Sequence, residues 1–399
     1  MRILLISAVF SPEPVVSAKL SRDLAEALCV ENDVTVLCPQ PSRPKGFIMN
    51  EYKDEDCFQV IRLNSFTCAS SRIFGRFRES YSFGKHCKKY IYKNWKCIDV
   101  IYMSAWPLFS QYIIIAAARK YNIRVVTHVQ DIYPESLIAK FNLFKNVLKL
   151  LLTPVDNYVL KHSSKIIAIS NNMKDLIVNT RSISSEKVCV VYNWQDEQDF
   201  EKYHVNKIPN NQPKCLFTFM YLGNIGPVAG IEVLIDAFVN SKLQNSRLII
   251  AGSGSRRDSL IQYAKLKGTD SIEFLHVPEG KVPEIQSLAD VLLLPIKKEA
   301  SSSSFPSKLP AYMFSQKPII GCAPEGSDIE LVINSSNCGW IVPPEDIERL
   351  SWAMSEAVKC SRENLIIFGL NGFNYAINNL SKNYNRKKIV EIIQSIETV

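Results

Sequence analysis

The sequence predicts an α/β protein built from two Rossmann-like, doubly wound domains facing a central cleft. Three observations carry that prediction. Short apolar runs alternate with helical stripes from one end to the other. The strand-like runs are apolar on both faces, as in parallel sheets covered by helices on both sides. The alternation pauses once, near the middle, and then restarts. A length of 399 residues suits two large domains. With 47% hydrophobic and 22% charged residues, the chain reads as folded, not disordered, collagen-like or coiled-coil.

In chain order, Ile3–Val9 is the first expected strand, and Leu20, Leu24 and Leu28 give the next segment its helical stripe. Val34–Leu37, Asp99–Tyr102, Arg124–His128, Lys165–Ile169 and Lys187–Tyr192 complete the first set of strands. Asn206–Lys214, with two prolines and three asparagines, reads as a linker. Cys215–Leu222 restarts the pattern, followed by Ile231, Leu234, Ile235 and Phe238 at helical spacing. The remaining strands are Arg247–Ala251, Ser271–Leu275, Val291–Pro295, Pro318–Gly321 and Gly339–Val342. The domains are therefore expected over 1–200 and 214–379, with ligands beyond the carboxyl ends of the strands.

The opening apolar run meets Ser11–Pro14 without a small-residue cleavage site, so it reads as a buried strand and not a signal peptide. No run approaches the roughly 20 apolar residues that span a bilayer. Eleven cysteines without a Cys-x-x-Cys pair, several inside apolar runs (Cys38, Cys189, Cys215, Cys322), suit thiols used as small core residues in a reducing compartment. A cytoplasmic location and no structural zinc follow. The net charge of +8 is uneven: residues 1–200 carry +7 of it, so the first domain is expected to face an anionic surface.

Several constellations could carry chemistry. The loop after the first strand, with Pro14 and Ser17, can line an acceptor pocket. Thr127–Glu135 gathers His128, Asp131 and Glu135 just past a strand, where a base or hydroxyl acceptor is useful; Asp131 as a helix cap is the plainer alternative. Tyr221–Gly226, with Gly223, Asn224 and Gly226, is a strand running into a glycine turn and a helix. Such turns bring backbone N–H groups and a helix N-terminus to a diphosphate. Ala251–Arg257 repeats the device with Gly252, Gly254, Arg256 and Arg257. Arg257 stands where the dinucleotide fingerprint needs its third glycine, which removes the best support for hydride chemistry. Ser307 and Lys308, after a serine run and before a helix, form a possible phosphate seat, or a solvated loop. Asp54 and Asp56 resemble a metal-diphosphate pair but lie in an acidic, non-periodic run that reads as a loop.

Arg72–Lys96 holds eight basic residues against one acid, Glu79, interleaved with aromatic rings. Arg76, Arg78, Lys88, Lys89 and Trp95 are the expected contacts with an anionic membrane, each cation contributing about 1 kcal/mol. A solvated helix is the plain alternative. Nucleic acid would accept the same groups but is not expected.

Taken in order, Phe10–Glu13, Gln130–Glu135, Leu222–Gly226, Ala289–Pro295 and Pro306–Lys308 resemble the two-domain GT-B glycosyltransferases of family 4 over nearly the whole chain. The nearest likeness is to enzymes of bacterial surface-polysaccharide assembly (O-antigen, capsule), including the L-fucosamine transferase type. The resemblance implies retaining transfer from a UDP-sugar to a lipid-linked saccharide on undecaprenyl diphosphate, without metal or cofactor, at the inner face of the plasma membrane. It further implies that the last helix, about 380–399, packs back on the first domain. Two family glutamates, counted back from Lys317, are replaced by Ser303 and Ala311. The Arg and Lys that often follow the glycine turn are also missing. Lys308 and an arginine of the 256–257 pair are left to neutralise the leaving group, with Asp131 or His128 serving the acceptor. Two other readings stay open. A UDP-sugar 2-epimerase shares the architecture but has no use for the basic-aromatic segment. A non-catalytic, membrane-associated assembly partner would tolerate the missing glutamates.

Overall fold

The computed structural model describes residues 1–43, 57–68, 73–104, 107–133, 135, 145–206, 216–227, 229–296, 305–306 and 308–396. It divides into two compact units, Met1–Asn193 with Asn385–Val399, and Trp194–Tyr384. The first boundary thus falls at Asn193, ahead of both residue 200 and the linker-like stretch, most of which lies outside the described residues.

In the first unit the described elements run β1 (Arg2–Ile6), α1 (Val16–Leu28), β2 (Asp33–Pro39), β3 (Gln59–Leu63), α2 (Ile73–Asn94), β4 (Val100–Ser104), α3 (Leu108–Lys120), β5 (Arg124–Val129), α4 (Lys145–His162), β6 (Lys165–Ala168), α5 (Asn171–Arg181) and β7 (Val188–Val190). The seven strands are parallel in the order β3-β2-β1-β4-β5-β6-β7. Chain direction across the sheet therefore reverses between β1 and β4, the switch point where such sheets bind ligands. Leu4, Ile6, Ile101, Met103 and Val125 bury one sheet face against α2, α3 and α4 through Phe83, Cys87, Ile115 and Val159. The C-terminal helix α14 (Lys382–Gln394) belongs to this unit from Asn385 onward, where Gln394 Nε2 donates to Glu31 Oε2 at 3.2 Å.

The second unit holds α6 (Gln198–Asn206), β8 (Phe217–Leu222), α7 (Ile231–Ser241), β9 (Ser246–Ala251), α8 (Arg257–Leu266), β10 (Ile272–Leu275), α9 (Val282–Ser287), β11 (Val291–Leu294), α10 (Lys308–Phe314), β12 (Ile319–Cys322), α11 (Asp328–Ser336), β13 (Gly339–Val342), α12 (Ile347–Lys359) and α13 (Arg362–Asn379). Its parallel sheet runs β10-β9-β8-β11-β12-β13, with the switch point between β8 and β11. Phe219, Tyr221, Leu248, Ile250, Val291 and Leu293 form the core against α7 and α12.

Among the described residues no helix is long and apolar enough to cross a membrane. Cys38, Cys87, Cys322 and Cys338 are buried free thiols. The expectation of free thiols fails at one pair. Cys29, at the end of α1, is disulfide-bonded to Cys57, because pairing β3 beside β2 brings the two Cα atoms to 5.9 Å.

Candidate functional sites

Each unit carries a candidate site at the carboxyl edge of its own sheet. In the first, a cavity of about 250 Å³ is lined by Ser7, Ala8, Val9, Val15, Ser17, Ser21, Arg43, Arg76, Ser104, Gln130 and Asp131. These residues come from the chain leaving β1, β2, β4 and β5 and from the starts of α1 and α2. Ser7 Oγ lies 3.0 Å from Ser21 Oγ and accepts from Ser104 Oγ at 3.5 Å, a hydroxyl cluster at the switch point. Ser17 and Asp131 both line this cavity. Pro14 is exposed and does not line the cavity.

Three expectations are corrected here. His128, 2% exposed, is buried on β5 beside Ser104, its register partner on β4, and is not among the residues that line the cavity. Its Nδ1 sits 2.6 Å from Tyr102 Oη, and its Nε2 is buried without a hydrogen-bond partner among the described residues. Burial lowers its pKa to about 4, so the ring is neutral near pH 7. Glu135 is drawn to Arg181, whose Nη2 donates to its carboxylate at 2.7 Å and to the Tyr133 carbonyl at 2.8 Å. Arg181 Nε also donates to Asp156 Oδ2 at 2.8 Å, so one buried guanidinium ties Tyr133 and Glu135 to α4. Asp156 is raised to about 6 by burial, against the opposing pull of Arg181.

Arg76 is the third correction. Helical phase turns it from the solvent stripe toward Glu79, which its Nη1 reaches at 2.9 Å, and it lines the cavity. Arg43 Nη2 meets both oxygens of the same carboxylate at 2.8 Å. Glu13 accepts the N–H groups of Ser42 and Arg43 at 2.6 and 2.9 Å and so holds that loop in place. Sequence reasoning missed Arg43, although its place just past β2 is where the strand-end rule looks.

The other expected membrane contacts do face outward. Phe74 (89% exposed), Arg78, Tyr81, Lys85, Lys88 and Lys89 form one stripe of α2 at helical spacing, opposite buried Phe83, Cys87 and Ile91. Trp95 is 38% exposed and stacks on Tyr121 with centroids 5.0 Å apart. Exposed Tyr112 of α3 and Val147, Leu150 and Leu151 of α4 lie on the same layer of packed helices.

The second site is made by two interlocked turns. Gly223 N–H donates to the Ala251 carbonyl at 3.0 Å and Ile225 N–H to the Ser253 carbonyl at 2.8 Å, zipping the ends of β8 and β9 together. The intervening N–H groups of Asn224 and Gly226 find no acceptor among the described residues. Gly252, with φ +136°, needs its glycine twice over, because a Cβ there would overlap the Gly223 carbonyl oxygen. At Gly223 a Cβ would overlap Cε of Lys308, whose side chain lies across the turn. The Lys308 ammonium stands 5.3 Å from the centroid of Tyr221, and burial lowers its pKa. No described carboxylate pairs with it. Tyr312 locks the helix that Lys308 begins: its hydroxyl accepts from Leu222 N–H at 2.8 Å and donates to the Leu222 carbonyl at 3.0 Å.

Arg256 is spent elsewhere, since its Nη2 donates to Glu232 Oε1 at 2.6 Å. Arg257, first residue of α8, has no side-chain partner among the described residues and is the available guanidinium. Gly254 packs its turn against the Ile225 carbonyl. Ala311 is half-buried on α10, whose sequence KLPAYMF offers no carboxylate. Ser307, Ser303, Asp54 and Asp56 lie outside the described residues.

Residues 204–371 match the family model "Glycosyl transferases group 1", and residues 18–199 match "Glycosyltransferase Family 4". The chain is 21% identical over 346 residues to the "Probable glycosyltransferase WbjE" of Pseudomonas aeruginosa, covering 83% of each chain. Among solved structures it resembles HepE of Anabaena in complex with UDP, with TM-score 0.68 and 14% identity over 99% of this chain and 100% of that one. It also resembles WaaG, a glycosyltransferase involved in lipopolysaccharide biosynthesis, with TM-score 0.65 and 14% identity over 98% and 99% of the two chains. The two Rossmann-like units are those of the GT-B glycosyltransferase fold, and each half of the sequence matches a glycosyltransferase model.

Proposed function

We propose that the chain is a retaining glycosyltransferase of surface-polysaccharide (O-antigen or capsule) assembly. It takes a sugar, an N-acetylated amino sugar such as N-acetyl-L-fucosamine, from a UDP-sugar and adds it to a saccharide on undecaprenyl diphosphate. The observation that carries this reading is Lys308, a cation with no carboxylate partner among the described residues, lying across a glycine turn whose alternate N–H groups find no acceptor among them. That HepE is solved with UDP, and that WaaG acts in lipopolysaccharide biosynthesis, supports the donor and pathway classes.

The difficulty in such a transfer is the charge that grows on the departing diphosphate. Preorganised N–H groups and cations stabilise it without reorganising during the reaction. In this reading Asn224 and Gly226 N–H, Lys308 and Arg257 share that task, with no metal ion, and the partial burial of Lys308 strengthens its field. In the first unit Asp131 orients the acceptor hydroxyl. His128, neutral and buried, keeps Tyr102 and the ends of β4 and β5 in place. The outward stripe of α2 with the apolar face of α4 seats the first unit on the anionic inner leaflet, where the lipid acceptor resides.

Thermal unfolding with UDP, GDP, ADP, NAD and a panel of UDP-sugars, without added metal, tests the reading. A selective rise with UDP and one UDP-sugar is expected. No rise with any nucleotide would put the non-catalytic assembly role ahead, and epimer formation without an acceptor would replace transfer by 2-epimerisation.

A further inference from the structure

We propose that the first-unit cavity is an anion-reading acceptor site, in which Arg43 and Arg76 hold a phosphate or carboxylate carried by the acceptor. The inference deepens the glycosyltransferase reading and rests on it, since it names what the acceptor must carry. Two guanidiniums reach the same cavity from different elements, the chain after β2 and the start of α2. Both are placed by one buried carboxylate, Glu79, which also accepts the Cys68 N–H at 3.1 Å. Glu79 does not itself line the cavity, whereas both arginines do.

The start of α1 adds to that wall. This helix of 13 residues has no side-chain cap and no acid in its first turn. Among the described residues nothing accepts the N–H groups of Val16 and Ser17, and Ser17 lines the cavity. A helix start in this state favours an anion. The hydroxyls of Ser7, Ser21 and Ser104 line the floor. Asp131, an exposed residue that also lines the cavity, supplies the carboxylate for a sugar hydroxyl. The cavity thus sorts one anionic group and one hydroxyl, as an acidic sugar or a sugar phosphate would present them. Arginine suits the task, because its planar fork binds both carboxylate and phosphate in bidentate fashion.

The test is a calorimetric titration of the whole chain under saturating UDP, which occupies the donor turns. The probes are inorganic pyrophosphate, methyl α-D-glucuronide and, as the neutral control, methyl α-D-glucoside. At least tenfold preference for an anionic probe over the glucoside is expected. Arg76→Gln and Arg43→Gln should each weaken anion binding at least tenfold, and Glu79→Gln, which removes the carboxylate charge that both guanidiniums share, should tighten it. Binding of pyrophosphate alone assigns the anion to the acceptor's lipid diphosphate, and binding of glucuronide alone to an acidic sugar; either supports the inference. Equal binding of glucoside and anions, or undiminished anion binding in Arg76→Gln with no gain in Glu79→Gln, overturns it. If UDP itself does not bind, the donor reading fails, while the glucuronide titration still decides this one.

Discussion

In the proposed transfer Lys308 is the side chain of the second unit on which most of the charge stabilisation rests. Lys308→Ala should lower kcat by roughly 10²–10³, the usual cost of one electrostatic contact to developing charge. The thermal midpoint should stay within a few degrees, because Tyr312 and not Lys308 fastens the helix. Near-normal turnover in a steady-state assay would remove Lys308 from the reaction. His128 makes a different residue-scale prediction. Its folded pKa of about 4 lies below the ordinary 6.5, so its contribution to stability is full above pH 6.5 and is lost as pH falls toward 4. Asp156, raised from 3.8 to about 6, has the opposite sign and adds stability on acidification through the same range. The wild-type profile therefore hides both. Urea midpoints of wild type and His128→Gln separate them: the variant should gain on wild type by about 1.4 kcal/mol per pH unit between pH 6 and 4. A difference independent of pH would show that His128 is not desolvated. Arg76 shows how far a residue can be read from sequence. Within a basic-aromatic run it looks like one more surface cation. Only the helical phase, with Glu79 three positions on, separates it from Arg78, whose guanidinium lies 4.2 Å from the centroid of Phe66.

At the scale of elements, strands buried on both faces were legible because apolar runs flanked by helices leave few other options. β3 was not: QVIRL is a half-buried edge strand beside an acidic stretch, without the continuous apolar run of its neighbours. The glycine turns were legible as turns, while their mutual locking was not, since hydrogen bonds between residues 223–225 and 251–253 depend on β8 lying next to β9. The Arg181 clamp was equally invisible, because its partners stand 25 and 46 positions away. It is also the element most exposed to damage. Arg181→Met leaves Asp156 buried and unpaired and should cost about 3–5 kcal/mol of stability, measured by urea unfolding at pH 7. Arg181→Met combined with Asp156→Leu should recover much of that loss. Equal loss in both variants would mean that the packing of Arg181, and not its charge, fastens Tyr133 and Glu135.

For the whole molecule, the uneven charge is the quantity that composition makes plain and the fold gives a direction. Of the net +8, the first 200 residues hold +7, and part of it lines the outer stripe of α2 at Lys85, Lys88 and Lys89. Flotation with anionic vesicles should show binding that half-molar salt reverses. Replacing the three lysines by glutamine should weaken partitioning about 100-fold at about 1 kcal/mol each. Equal binding to neutral vesicles, or indifference to salt, would refute the seat. The interlocked turns carry a genetic consequence. An alanine at 223 meets the flexible end of Lys308 and strains a backbone held at φ +158°, so shortening Lys308 should relieve the overlap and recover part of the stability lost in Gly223→Ala, while leaving it inactive. An alanine at 252 meets only backbone, the carbonyl of Gly223, and no side chain can be trimmed to make room. Selection for suppressors should therefore recover partial second-site revertants of folding for Gly223→Ala and only true revertants for Gly252→Ala.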